Sequence, residues 1–187
     1  FTQLGQQFEA VNPGTAVVFN FGGSSDLVAQ LQQGAPGDLF ASADAATMDK
    51  AVDDALITGE PTVFATNSME IAIPPGNPAG IDSFAALADP DVNVVVCAPQ
   101  VPCGAATQTI EENAGVTLSP VSEENSVTDV LGKVTSGEAD AGIVYVTDVK
   151  GAGDAVEGIE IPTAVNATNR YPIGVLAGSG SPDLAEQ

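Results

Sequence analysis

The sequence predicts an α/β fold with mostly parallel sheets flanked by helices. Strand-length apolar runs alternate with stretches of helical spacing along nearly the whole chain. One run, Val92 to Val96, is almost continuously apolar, the pattern of a strand buried on both faces. There are no internal repeats, low-complexity tracts or long linkers to suggest another architecture.

The elements follow in order. Phe1, Leu4, Phe8 and Val11 share one helical face, and Asn12-Pro13-Gly14 stops that helix. Ala16 to Phe21 reads as a buried strand. Gly22 to Ser25 is a turn, and Asp26 to Gln33 is a helix with Leu27, Val28 and Leu31 inward. Leu39 to Ala41 is a short strand and Ala45 to Leu56 a helix. Val63 to Pro74 reads as a long strand, with Met69, Ile71 and Ile73 alternating, ended by Pro75-Gly76-Asn77-Pro78. A short helix over Ser83 to Ala88 precedes the strand at Val92. Further helices are expected from about Gly104 to Asn113 and Val127 to Ser136. Strands are expected at Ala141 to Tyr145, Ile159 to Pro162 and Tyr171 to Leu176.

Composition narrows the function. Of 187 residues, 44% are hydrophobic, enough for real cores, but only 5% are aromatic. Those cores must therefore be built from Val, Ala, Leu and Ile. No stretch approaches the roughly 20 apolar residues that span a bilayer. There are 25 acidic residues against 4 basic ones, a formal net charge of −21. Nucleic acid is not an expected partner, because its phosphates need Lys and Arg. Histidine is absent, which removes Ser-His-Asp and Cys-His catalysis and most zinc sites. No nucleophile elbow or metal-ligand cluster replaces it, so no enzyme activity is expected. The opening residues Phe1 to Leu4 read as mid-helix, so the chain is expected to be a mature or trimmed piece of a longer one.

The two cysteines, Cys97 and Cys103, flank a loop with two prolines. A disulfide there would add roughly 2–3 kcal/mol by restricting the unfolded chain, and it would imply an oxidising compartment. Two free thiols are the alternative.

One arrangement recurs: strand, small polar turn, helix. It occurs at Phe21 to Asp26, at Cys97 to Gly104, and at Asn125 to Thr128. Each would place free backbone N–H groups at a helix start, where partial positive charge favours anions. Any one of these turns, alone, also reads as an ordinary helix cap.

The runs Phe21-Gly22-Gly23-Ser24-Ser25-Asp26-Leu27 and Gln33-Gly34-Ala35-Pro36-Gly37-Asp38-Leu39-Phe40-Ala41-Ser42-Ala43-Asp44 resemble the molybdate-binding proteins of ABC transporters. Asn67-Ser68, Ala88-Asp89-Pro90, Val101-Pro102-Cys103-Gly104, Gly137 to Tyr145 and Tyr171-Pro172-Ile173 match that family in order. The resemblance implies a two-lobed, periplasmic-binding-protein-like (type II) fold, each lobe a mostly parallel sheet flanked by helices. The expected lobes are residues 1–66 with 178–187, and residues 67–177. Hinges are expected near Asn67 to Ile73 and Tyr171 to Leu176. An oxyanion would lie between the lobes, held by hydroxyls and backbone N–H groups with no direct metal ligand. The implied donors are Ser24, the backbone of Cys103 and Val127, and the Tyr145 phenol. The ligand would be molybdate or tungstate, with no cofactor. The partner would be a membrane permease of an ABC transporter. The protein would be a monomer in the periplasm or lipid-anchored at the outer face of the membrane. Sulfate or another tetrahedral oxyanion remains an alternative ligand, and an oxyanion-sensing regulatory domain an alternative role. Three features depart from the family. An Ala-Ser-Leu-Thr type turn before the first helix is absent. The helices that usually follow the Tyr-Pro-Ile strand are absent too. Cys103 stands where Ala is common, in a loop one residue shorter.

Overall fold

A computed structural model describes residues 1–187. Its helices are α1 (Thr2–Val11), α2 (Ser24–Gln32), α3 (Ala45–Asp53), α4 (Pro102–Ala114), α5 (Val127–Thr135), α6 (Val146–Ala152) and α7 (Pro182–Ala185). Its strands are β1 (Leu39–Ala41), β2 (Ile57–Ile73), β3 (Val94–Cys97), β4 (Ser122–Glu124), β5 (Ala141–Tyr145), β6 (Glu157–Glu160) and β7 (Thr168–Leu176).

The long strand β2 organises everything. Its first part, Ile57 to Ser68, pairs with β7, which in turn pairs with β1. From Met69 onward it pairs instead with β5 and β6. Beyond β5 lie β3 and then β4. The strand thus passes from one sheet into another, and each sheet carries its own core. The smaller core gathers Val28, Phe40, Met48, Ala51, Ile57 and Leu176. The larger gathers 26 buried residues, including Met69, Ile71, Ile110, Val130 and Ile143. The chain is therefore two-lobed α/β, with helices packed on both sheets.

Parallel pairing is narrower than the sequence suggests. Only β5, β3 and β4 are parallel, joined through helices α4 and α5 as crossovers. The β1–β7, β2–β7, β2–β5 and β2–β6 pairs are antiparallel, because β2 and β7 run between the lobes in opposite directions. Strand Thr168–Leu176, expected in the second lobe, lies in the sheet of the first.

Local expectations also shift. Ala16 to Phe21 is not a strand. No strand edge accepts its backbone, and Val18 is 91% exposed. The apolar face of α1 is likewise open, with Leu4 and Val11 exposed. Phe1, Phe19, Phe21 and Phe64 cluster with one another instead of entering either core. The expected helix at Ser83 is a single 3₁₀ turn, Ala85–Ala88. Strand β4 and helix α6 were not evident in the sequence pattern. The first is three residues of Ser and Glu, and the second is a seven-residue helix that begins directly from β5.

Ile143 sits in the middle of β5 with no exposed surface. Ile143→Ala should cost about 3–5 kcal/mol through lost burial and a residual cavity. Val18→Ala should stay within about 0.5 kcal/mol. Urea unfolding checks both: the first lowers the midpoint at unchanged slope, and the second leaves it in place.

Candidate functional site

The four donors implied by the sequence come to one place, where the lobes meet. Ser24 opens α2, with Gly23 as its N-cap. Cys103 is the second residue of α4 and Val127 the first of α5. Tyr145 ends β5 and caps α6. The first N–H groups of α2, α4 and α5 have no partner within their own helices. Ser24, Cys103 and Tyr145 are buried, and Val127 is half-buried.

Contacts tie these positions together. Ser25 Oγ donates to the Gln100 carbonyl at 3.2 Å, joining α2 to the loop before α4. A Cβ on Gly23 would lie 2.6 Å from the Asn125 carbonyl oxygen, so only glycine lets α2 start this close to the start of α5. The Ala43 N–H donates to Ser24 Oγ at 3.0 Å. The Asn169 side-chain amide donates to the Ala43 carbonyl and to the Tyr145 hydroxyl, both at 2.9 Å, and to the Pro102 carbonyl at 3.4 Å. Ser25 and Asn125 lie in turns that the sequence singles out, whereas Ala43 and Asn169 were not among the residues predicted from sequence. Asn169 lies two residues before the Tyr171-Pro172 motif, but only strand register reveals where its amide reaches.

The cysteines form a disulfide, with Cα atoms 5.6 Å apart. It staples the end of β3 to the first turn of α4 and so holds the Cys103 N–H in place. Gly104 completes the fit: a Cβ there would lie 1.9 Å from the Ala98 carbonyl oxygen.

The site is rich in donors and poor in formal positive charge. Lys50, Lys150 and Arg170 are exposed, and the half-buried Lys133 pairs with Glu124 at 3.4 Å. A dipolar site of N–H and O–H groups suits a small anion. The concavity lined by Ser68, Glu70, Glu160 and Thr163 is different. It presents two carboxylates, with Glu70 held above the usual range by burial, and would repel an anion.

Across its whole length, residues 1–187, the chain matches the family model described as bacterial extracellular solute-binding protein. The chain belongs to this family. It is 54% identical over 187 residues to the molybdate-binding protein ModA of Mycobacterium tuberculosis, covering 100% of this chain and 72% of that protein. In fold it is similar to the periplasmic molybdate-binding protein of Azotobacter vinelandii, with a TM-score of 0.83 at 24% identity, covering 100% of this chain and 84% of that one. The sulfate-binding protein SubI of M. tuberculosis shares the fold too, with a TM-score of 0.80 at 19% identity, covering 99% of this chain and 74% of that one. The extracellular setting of the family agrees with the disulfide, which persists in oxidising compartments.

Tyr145 and Tyr171 are the only tyrosines, and their rings meet edge to face at 5.9 Å. Burial, the leading cause, pushes both phenols above their ordinary value. The folded solute-binding protein thus keeps protons that the unfolded chain releases. Its stability should be insensitive to these groups up to about pH 10, then fall as pH rises further. Tyrosinate absorbance should appear at higher pH in the folded chain than in the unfolded one. Ionisation of either tyrosine near pH 10 in the folded chain would contradict this.

Proposed function

We propose that this chain is the receptor of an ABC transporter, capturing molybdate or tungstate between its lobes and delivering it to a membrane permease. The ligand class rests above all on three helix starts and two buried hydroxyls, those of Ser24 and Tyr145, meeting with no basic side chain among them. The choice of molybdate is supported by the 54% identity to M. tuberculosis ModA.

The donors proposed are the Ser24 hydroxyl and N–H, the Cys103 and Val127 N–H groups, and the Tyr145 hydroxyl. Each bond to a dianion is charge-assisted and stronger than a neutral one. The net charge of −21 opposes capture at long range, but screening limits that field to about 8–10 Å at physiological salt. Close donors then dominate. A set of hydroxyl and N–H donors also selects by protonation. Ser24 Oγ and Tyr145 Oη already accept from Ala43 and Asn169, so they offer their protons. Hydrogenphosphate would bring a proton with no acceptor, whereas molybdate, tungstate and sulfate carry none at neutral pH.

The lobe division supported by strand pairing is residues 1–68 with 168–187, and residues 69–167. The hinge would lie at the two crossings, Ser68–Met69 and Ala167–Thr168, which are neighbours because Ser68 pairs with Thr168. Closure about that axis would bury the ion, and the closed monomer would then dock on the permease. Tethering by a lipid anchor is part of the same proposal.

Calorimetric titration tests the reading. Molybdate and tungstate should bind, and phosphate should not. Ser24→Ala and Tyr145→Phe should each weaken binding roughly 10–100-fold, the loss of one hydrogen bond to a charged group. Sulfate bound as tightly as molybdate would keep the receptor and sink its specificity. No heat with any of these oxyanions would sink the ligand assignment.

A further inference from the structure

We propose that Asn169 is a positioning residue for the anion site, holding the Tyr145 hydroxyl so that its proton is committed to the bound oxyanion. This rests on the oxyanion reading above and goes beyond it, because Asn169 need not touch the ligand.

The geometry is specific. Asn169 stands on β7 as the register partner of Asn67 on β2, one position beyond the Ser68–Thr168 pair where the lobes cross. Its Nδ2 faces two backbone carbonyls, Ala43 at 2.9 Å and Pro102 at 3.4 Å. A carbonyl oxygen only accepts, so nitrogen rather than oxygen must face this way. The same nitrogen lies 2.9 Å from Tyr145 Oη. The phenol oxygen therefore accepts, and its single proton is left for the neighbouring Tyr171 hydroxyl or, once one is bound, for an oxyanion. Accepting one hydrogen bond also strengthens a hydroxyl as a donor. With Tyr145 only 4% exposed, water competes little for that proton.

The neighbouring phenol is held in the same manner. Tyr171 Oη accepts from Asn67 Nδ2 at 3.0 Å, and Asn67 Nδ2 also donates to Thr147 Oγ1 at 2.7 Å. Two paired asparagines thus engage the acceptor sides of both tyrosines. Asn169 differs in reaching Ala43, whose own N–H orients Ser24 Oγ. One side chain therefore links both hydroxyl donors of the site. Its contacts draw on the loop after β1, the start of α4 and the end of β5.

A double-mutant cycle on the full chain tests this, with molybdate affinity measured by calorimetry. Asn169→Ala should weaken binding about tenfold, the scale of one hydrogen bond. In a Tyr145→Phe background the same change should have a clearly smaller effect, because only its link through Ala43 to Ser24 remains. Asn169→Asp keeps the shape but offers an acceptor, which draws the Tyr145 proton away from the ion. It should weaken binding more than Asn169→Ala, and its carboxylate, set against the Ala43 and Pro102 carbonyls, should also lower the urea midpoint. Effects of Asn169→Ala and Tyr145→Phe that multiply would overturn the proposal, as would an Asn169→Ala affinity within twofold of the parent chain. If the parent chain binds no oxyanion, the ligand reading itself has failed and this inference falls with it. Binding by the parent with an independent Asn169 effect overturns the inference alone.

Discussion

Backbone N–H groups at a helix start have no partner within the helix, and here three such starts face one another across the junction of two lobes. An apolar filling there would leave donors stranded at a cost of about 1–3 kcal/mol each. A carboxylate would satisfy them permanently and close the site. Small residues leave them for a transient guest. Gly23 admits the Asn125 carbonyl, and Gly104 lets α4 begin against Ala98. The Cys97–Cys103 bridge keeps α4 where it begins. Each local choice serves the approach of one helix start to the others.

The same constraint explains why an acidic protein can serve an anion. With only 4 basic residues among 187, attraction by full positive charge is scarce, and none of those residues is needed at the site. Fixed dipoles act at short range and require no buried cation to be desolvated. Their drawback is orientation, because a hydroxyl can donate or accept. The structure fixes the sense of both by supplying each with a donor, Ala43 N–H for Ser24 and the Asn169 amide for Tyr145. A preset donor loses less freedom when it binds.

Much of the architecture was legible in the sequence where pattern and burial agree. Val94 to Cys97 and Ala141 to Tyr145 are apolar runs, and every residue in them is buried. The Ser24, Cys103, Val127 and Tyr145 positions were readable because turn chemistry precedes a helix, or because a motif names them. Ala16 to Phe21 misled because β-propensity does not make a strand without an edge to pair with. The direction of pairing was hidden as well, since alternation reports which face is buried and not which neighbour lies alongside. Asn169 was invisible for a related reason. A lone asparagine in a strand has no pattern, and its importance comes from Ala43 and Tyr145, which are remote in the chain.

The crossing of the lobes and the anion site are mechanically close. β2 changes sheets between Ser68 and Met69, and Asn67 and Asn169 flank that point as partners. Asn166 supports the crossing from the other side: its side chain accepts from the Met69 N–H at 3.1 Å and donates to the Met69 carbonyl at 2.8 Å. That bidentate contact occupies the backbone of the residue at which strand pairing changes hands. Bending there would turn the end of β5, and with it Tyr145, relative to β7 and Asn169, because these elements lie on different sheets. The hydrogen bond that sets the Tyr145 proton therefore spans the proposed hinge. Because that bond is already made in this structure, an entering oxyanion meets a hydroxyl whose acceptor side is occupied in advance.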